Sequence, residues 1–203
     1  MVVWALEGSA PAVGVTQAEG AALLDAMAAG PVTGTFDLQV SLTTEETFNV
    51  IAETRGGDED NVVMVGAHLD GVEEGPGIND NASGSAAILE TAVQLAKGSK
   101  GHGHDKGKKK GKKGLISNKV RFAWWGAEEL GLHGSAHYVA DLQENDPAAL
   151  EDIAVYLNFD MVGSPNYVIG VYDADESTYP APVEVPEGSI AAEKAFTDYF
   201  DGI

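Results

Sequence analysis

The chain of 203 residues contains no cysteine. That absence excludes disulfides and thiolate metal sites, and leaves histidine and the carboxylates as the only strong metal ligands. Positive charge is almost as scarce, with 12 Lys and Arg against 32 Asp and Glu and a formal net charge of -20. Such a balance argues against nucleic-acid binding and favours high solubility. Eight of the basic residues fall between Lys97 and Lys113; the others are Arg55, Lys119, Arg121 and Lys194. A body this acidic repels itself unless salt screens it, so a saline habitat or extracellular release is expected. No apolar run reaches the roughly 20 residues of a membrane span. The opening MVVWALEGSAPAVGV lacks the basic start and apolar core of a signal peptide, so secretion is not legible in it.

What is present is organised around residues 61–84. Val62, Val63, Met64 and Val65 form a short apolar run between Asn61 and Gly66, the pattern of a strand buried on both faces. His68 and Asp70 leave that strand at its carboxyl end, where open α/β sheets place their ligands. Asp80 follows in GINDNASG, and a helix is expected from Ser83 to Leu95. Alone, His-x-Asp reads more readily as a surface loop, and Asp80 as a helix cap.

The pattern recurs twice. Lys119–Trp125 is a second strand ending in Gly126-Ala127-Glu128-Glu129. One of two adjacent glutamates can bind metal while the other moves protons, or both can be first-turn acids of the helix that runs through Leu142. Ile153–Phe159 is a third buried strand, ending on Asp160. Convergence of His68, Asp80, Glu128-Glu129 and Asp160 at one sheet edge makes a hard, oxygen-rich site suited to two zinc ions. This reaches a carboxylate-bridged metal hydrolase and selects no substrate.

Elsewhere the sequence is plainer. Pro11–Val15 reads as a strand, Thr16 and Glu19 as a capping box for a helix through Ala28, and Gly34–Leu42 as an edge strand. Phe48–Thr54 suggests a hairpin with the central strand. The stretch 97–114, glycine and lysine without apolar periodicity, is expected as a flexible surface insertion, in which His102 and His104 hold no defined metal shell. His133 and His137 imitate a zinc pair but lack the intervening glutamate of His-Glu-x-x-His. Tyr167–Tyr172 is expected as a further strand, Asp173, Asp175 and Glu176 as an acidic loop able to attract calcium, and Gly188–Phe200 as a final amphipathic helix.

The blocks VGAHLDGVEEGPGINDNASGSAAILE, FAWWGAEELGLHGSAHYV and YLNFDMVGSPNYVIGVYD together resemble those of the secreted di-zinc aminopeptidases, the group of bacterial leucine aminopeptidases and yeast-type aminopeptidase Y. The resemblance spans about Thr43 to Ile203. It implies a three-layer α/β/α fold with a mostly parallel mixed central sheet, zinc-exopeptidase-like and C-terminally incomplete. Residues 43–203 would be the catalytic domain and residues 1–42, PAVGVTQAEGAALLDAMAAG included, the closing part of a protease-associated domain. By the same resemblance His68 and Asp160 would bind one zinc, Glu129 the other, and Asp80 would bridge them. Glu128 would be the general base that activates a hydroxide between the metals, and Asp70 would hold His68 in its ligating tautomer. The substrate would be a peptide with a free N-terminus, with large hydrophobic first residues preferred, and the protein a secreted monomer. The family carries a further histidine in a later Ser-Asp-His-like block, which the 203 residues do not contain, so weak second-zinc binding and impaired activity are expected. A zinc-binding module without catalysis, and a di-zinc carboxypeptidase or deacylase of the same fold, are the alternatives.

Overall fold

The computed structural model describes residues 14–35, 37, 43–100, 116–186 and 188–203. The chain divides into two compact units, Met1–Thr44 and Glu45–Ile203. In the first, helix α1 (Gln17–Ala29) begins where Thr16 and Glu19 form the expected capping box. The Thr16 N–H donates to Glu19 Oε2 at 2.9 Å and the Glu19 N–H to Thr16 Oγ1 at 3.3 Å. Two otherwise unpaired amides are satisfied, and the Thr16 N–H together with the Thr16 hydroxyl, both donating to Glu19 Oε2, hold the Glu19 carboxyl below its usual range. Gly14 and Val15 are not in a strand, while residues 11–13, most of 34–42 and residues 101–114 of the expected insertion, His102 and His104 included, lie outside the described residues; residues 97–100 of that insertion are helical instead.

The second unit is built on a four-stranded sheet of order β1-β3-β2-β4, comprising β1 (Val50–Glu53), β2 (Asp58–His68), β3 (Asn118–Trp125) and β4 (Ile153–Asn158). β2 runs parallel to both β3 and β4, and β1 is antiparallel to β3. The expected β1–β2 hairpin is therefore absent. Both edges of β2 are taken by parallel partners, so the chain crosses beneath β3 before entering β2. Thr54 fastens that crossing, its N–H donating to the Val120 carbonyl and its Oγ1 accepting the Val120 N–H. Gly57 (φ 112°) then passes against the Asn118–Lys119 backbone, where a Cβ would collide.

Burial on both faces holds for β2. Val65 and Ala67 pack with Val120, Phe122, Trp124 and Ile88 on one face, and Met64 packs with Ala123 and Trp125 on the other. Helix α2 (Gly84–Lys100) covers the first face, joined there by α5 (Ser189–Asp201), whose Phe196 meets Phe159 edge-on at 6.2 Å. Helix α3 (His133–Asn145) covers the second, with Tyr138 against Trp125 at 5.3 Å. The short α4 (Pro147–Glu151), capped by Asp146, leads into β4. The result is a three-layer α/β/α arrangement around a mixed, mostly parallel sheet. β4 departs from expectation: its residues alternate between half-buried and exposed because it is the sheet's edge. Tyr167–Tyr172 forms no strand, and Val168 is 89% exposed; β-favourable residues make a strand only where a neighbouring edge accepts their backbone groups. Among the described residues no helix is long and apolar enough to cross a membrane.

Candidate metal centre

The sheet register brings three strand ends to one edge. His68 closes β2 opposite Trp125, the last residue of β3, and Gly66 lies opposite Asn158, the last residue of β4. The loops that follow carry Asp70, Glu128-Glu129 and Asp160, the crevice position of open α/β sheets. Asp80 arrives from the turn Ile78–Ser83 that precedes α2.

His68 is 2% exposed. Its Nδ1 lies 3.0 Å from the Asp70 carbonyl oxygen. An Nδ1–H donated there leaves Nε2 as a lone pair. Nε2 faces carboxylates: Asp80 Oδ1 at 3.0 Å, Asp160 Oδ2 at 3.5 Å and Glu128 Oε2 at 3.8 Å. Despite these distances it makes no hydrogen bond, and the buried Glu129 Oε1 also lacks a partner. Two buried polar atoms without partners, both inside an acidic cluster, fit a divalent cation. Ion-sized groupings agree. One ligand atom each from His68, Asp80 and Asp160 lies within 4.8 Å of the others, and so does one each from His68, Glu128 and Glu129. An imidazole with carboxylates suits zinc.

The electrostatics carry the same signature. Burial works to lower the His68 pKa, but the Asp160 and Glu128 carboxylates and the Asp70 carbonyl outweigh it and leave it above 6.5. Glu129 is pushed above its ordinary value by burial and then by the charge of Asp80, and Asp160 rises through burial against the pull of His68. Like charges are held together at a cost, as in sites that bind metal.

Asp70 divides its work differently from the sequence expectation. Its carbonyl, rather than its carboxylate (3.6 Å from Nδ1), lies closest to His68. The carboxylate instead accepts the Glu128 N–H on Oδ1 (3.0 Å) and the Glu129 N–H on Oδ2 (3.1 Å). Those glutamates are not first-turn helix acids: α3 begins only at His133, after a loop with positive φ at Ala127 and Leu132.

Asn81 went unread in the sequence. It is 1% exposed. Its Nδ2 donates to the Phe159 carbonyl (3.0 Å), while Oδ1 accepts the N–H groups of Gly84 (3.0 Å) and Met161 (3.3 Å). It thus ties the loop bearing Asp80 to the loop bearing Asp160. Its place beside Asp80 was the one available signal. His133 and His137 are exposed on α3 and belong to neither grouping. In the acidic loop, Glu193 rather than Glu176 stands with Asp173 and Asp175. Glu176 accepts the Ala181 N–H, and Asp173 accepts those of Ser177, Thr178 and Tyr179, which lower its pKa.

Fold and site together define an α/β protein with a histidine–carboxylate cluster at the carboxyl edge of its sheet. Residues 49–198 match Peptidase family M28, and the chain belongs to that family. An aminopeptidase of Pseudomonas aeruginosa (strain UCBPP-PA14) is 52% identical over 170 residues, covering 81% of this chain and 28% of the relative. Leucine aminopeptidase 2 of Arthroderma otae is 42% identical over 192 residues, covering 95% and 34%. A solved zinc aminopeptidase from Bacillus subtilis is 34% identical, covers 57% of this chain and 24% of its own, and superposes with a TM-score of 0.43. The chain spans about a third or less of the length of these relatives.

Proposed function

We propose that this chain carries the zinc centre and general base of an aminopeptidase that removes the first residue of peptides. The observation that carries the reading is the pair of unpartnered buried atoms, His68 Nε2 and Glu129 Oε1, inside one carboxylate cluster. The names of the similar proteins supply the reaction class.

His68 and Asp160 would hold one ion and Glu129 the second. Asp80 would be shared, in keeping with its 3.0 Å approach to Nε2 and its charge effect on Glu129. Zinc bound there supplies Lewis acidity and a water of lowered pKa. Glu128, with a half-buried side chain, takes the proton of the attacking water and returns it to the leaving amine. Asp70 fixes the backbone of both glutamates while its carbonyl sets the His68 tautomer. The surrounding negative charge suits a substrate's free α-ammonium group and disfavours a terminal carboxylate, which is why an aminopeptidase is preferred over a carboxypeptidase.

Residues 1–42 are read as the end of a protease-associated domain and the protein as a secreted monomer. Within the 203 residues the second zinc is held more weakly than the first, and turnover is slow. The Asp173 loop is read as satisfied by its own backbone amides, without need of calcium. Cleavage of a leucyl anilide and its N-acetylated form, with zinc and with chelator, tests the assignment. Expected are slow, zinc-dependent cleavage of the free-amine substrate alone and a loss of about 10²–10⁴-fold in kcat for Glu128→Gln. Equal cleavage of the acetylated substrate, or an unaffected Glu128→Gln variant, would overturn it.

A further inference from the structure

The loop bearing Glu128 and Glu129 is pinned at both ends by a residue outside the cluster. Asn49 precedes β1, and the pairing of Val50 with Trp124 sets it beside the end of β3. Its Oδ1 accepts the Gly126 N–H (3.1 Å) and its Nδ2 donates to the Gly134 carbonyl (2.8 Å). One carboxamide thereby bridges the two ends of the loop, which also join directly through Gly134 N–H to Gly126 O (3.0 Å). Inside that closure the Glu128 carbonyl accepts the N–H groups of Gly131 and Leu132, and the Ala127 carbonyl that of His133. Both end residues are glycines because the space is already filled: a Cβ on Gly134 would strike Asn49 Oδ1, and one on Gly126 would strike Thr47 Oγ1 and the Phe48 carbonyl.

We infer that Asn49 is a positioning residue for Glu128 and Glu129, setting from behind the loop whose front is held by Asp70. The carboxamide accepts an N–H with one atom and donates to a carbonyl with another, which neither an ionised carboxylate nor a methyl group can do. Aspartate would keep the Gly126 bond and set a negative oxygen against the Gly134 carbonyl; alanine would lose both bonds. The Asn49 side-chain hydrogen bonds go to Gly126 and Gly134, at the ends of the Glu128-Glu129 loop, and not to the segments that carry His68, Asp80 and Asp160. The effect of Asn49 is therefore confined to the ion that Glu129 binds and to the base. The reaction this serves rests on the proposed aminopeptidase reading, whereas the loop geometry does not.

The test compares the unaltered chain with Asn49→Ala and Asn49→Asp by amide hydrogen exchange over residues 126–134 and by zinc titration against a competing chelator. Expected are faster exchange in that loop, a tight zinc event unchanged within about twofold, and a weaker zinc event reduced by about 10- to 100-fold. Where turnover is measurable, kcat falls and KM holds. Unchanged exchange overturns the inference, as does equal weakening of both zinc events, which marks a general structural role. Loss of folding in both variants has the same meaning. Where a single zinc event is resolved, exchange decides. A chain that shows the expected exchange and zinc pattern but cleaves no free-amine substrate would sink the aminopeptidase reading and leave Asn49's role standing.

Discussion

The Asp70 carboxylate meets Glu129 through its backbone, Oδ2 accepting the Glu129 N–H at 3.1 Å while Oδ1 accepts that of Glu128 at 3.0 Å. The His68 tautomer depends instead on the Asp70 carbonyl, which no side-chain substitution removes. Asp70→Asn turns an NH₂ toward one of the two backbone N–H donors and leaves that donor unpaired. A stability loss of about 1–3 kcal/mol is expected, with weaker binding of the ion that needs Glu129. Nitrogen NMR of the His68 ring should still show the proton on Nδ1. A tautomer change in Asp70→Asn would return the orienting role to the carboxylate.

Asn81 joins the two loops that carry Asp80 and Asp160, and it does so while buried. Asn81→Ala takes the amide partner from the Phe159 carbonyl, while the Gly84 N–H keeps the residue-81 backbone carbonyl and the Met161 N–H keeps the Asp160 carboxylate. One buried group left unpaired costs about 1–3 kcal/mol, so a loss of about 1–3 kcal/mol in denaturant unfolding is expected. The tight zinc event should weaken with it, because both loops are ligand loops. An Asn81→Ala chain with normal zinc affinity would show that each loop holds its own position.

The contrast between Asp80 and Asn81 shows what a sequence reveals. Strand ends announce themselves, since a run such as Val62–Val65 or Arg121–Trp125 has few other uses, and a histidine or carboxylate just beyond it falls in the crevice. His68, Glu128, Glu129 and Asp160 fall at one sheet edge on that ground, whereas Asp80 is read from the turn that precedes α2. Apart from the Gly84 N–H, Asn81 and Asn49 act through backbone amides and carbonyls tens of residues away, and side-chain spacing carries no trace of such partners. The same limit explains β1, whose sequence reads as a strand but whose partner β3 depends on which edges of β2 are already taken. Tyr167–Tyr172 shows the same limit, since its strand-forming residues pair with no strand although β4 is an edge of the sheet.

The cluster makes the metal-free chain sensitive to pH in one direction. His68 has a raised pKa, so its contribution to stability is full below 6.5 and fades as pH climbs through the raised value. Asp160 and Glu129 are raised above 3.8 and 4.5, so the folded state binds more protons than the unfolded chain and loses stability as they ionise. Both effects lower stability with rising pH. The depressed carboxyls of Glu19 and Asp173 act oppositely, and only below their ordinary values of 4.5 and 3.8. In chelator, the melting temperature should fall between about pH 6 and pH 8, and zinc should raise it more at the upper end. Glu129→Gln should melt higher than the unaltered chain in chelator and gain less from zinc. A flat profile in chelator would mean that the cluster's charges are compensated by other groups.

Gly66 allows Tyr156 to lie across the sheet beside the site. The Tyr156 hydroxyl accepts Trp125 Nε1–H (2.7 Å) and donates to Asn158 Oδ1 (2.7 Å), and a Cβ on Gly66 would run into that hydroxyl and its ring. Anchored at both bonds, the ring cannot swing clear without giving up partners on β3 and β4, the strands that deliver Glu128-Glu129 and Asp160. Gly66→Ala should therefore destabilise by about 1–3 kcal/mol, the usual cost of overpacking a filled site. Adding Tyr156→Ala to Gly66→Ala removes the clash, so the double variant should be more stable than the sum of the two single losses, a coupling of about 0.5–3 kcal/mol in a double-mutant cycle. Strict additivity would show that the strand, not the tyrosine, rejects the methyl group.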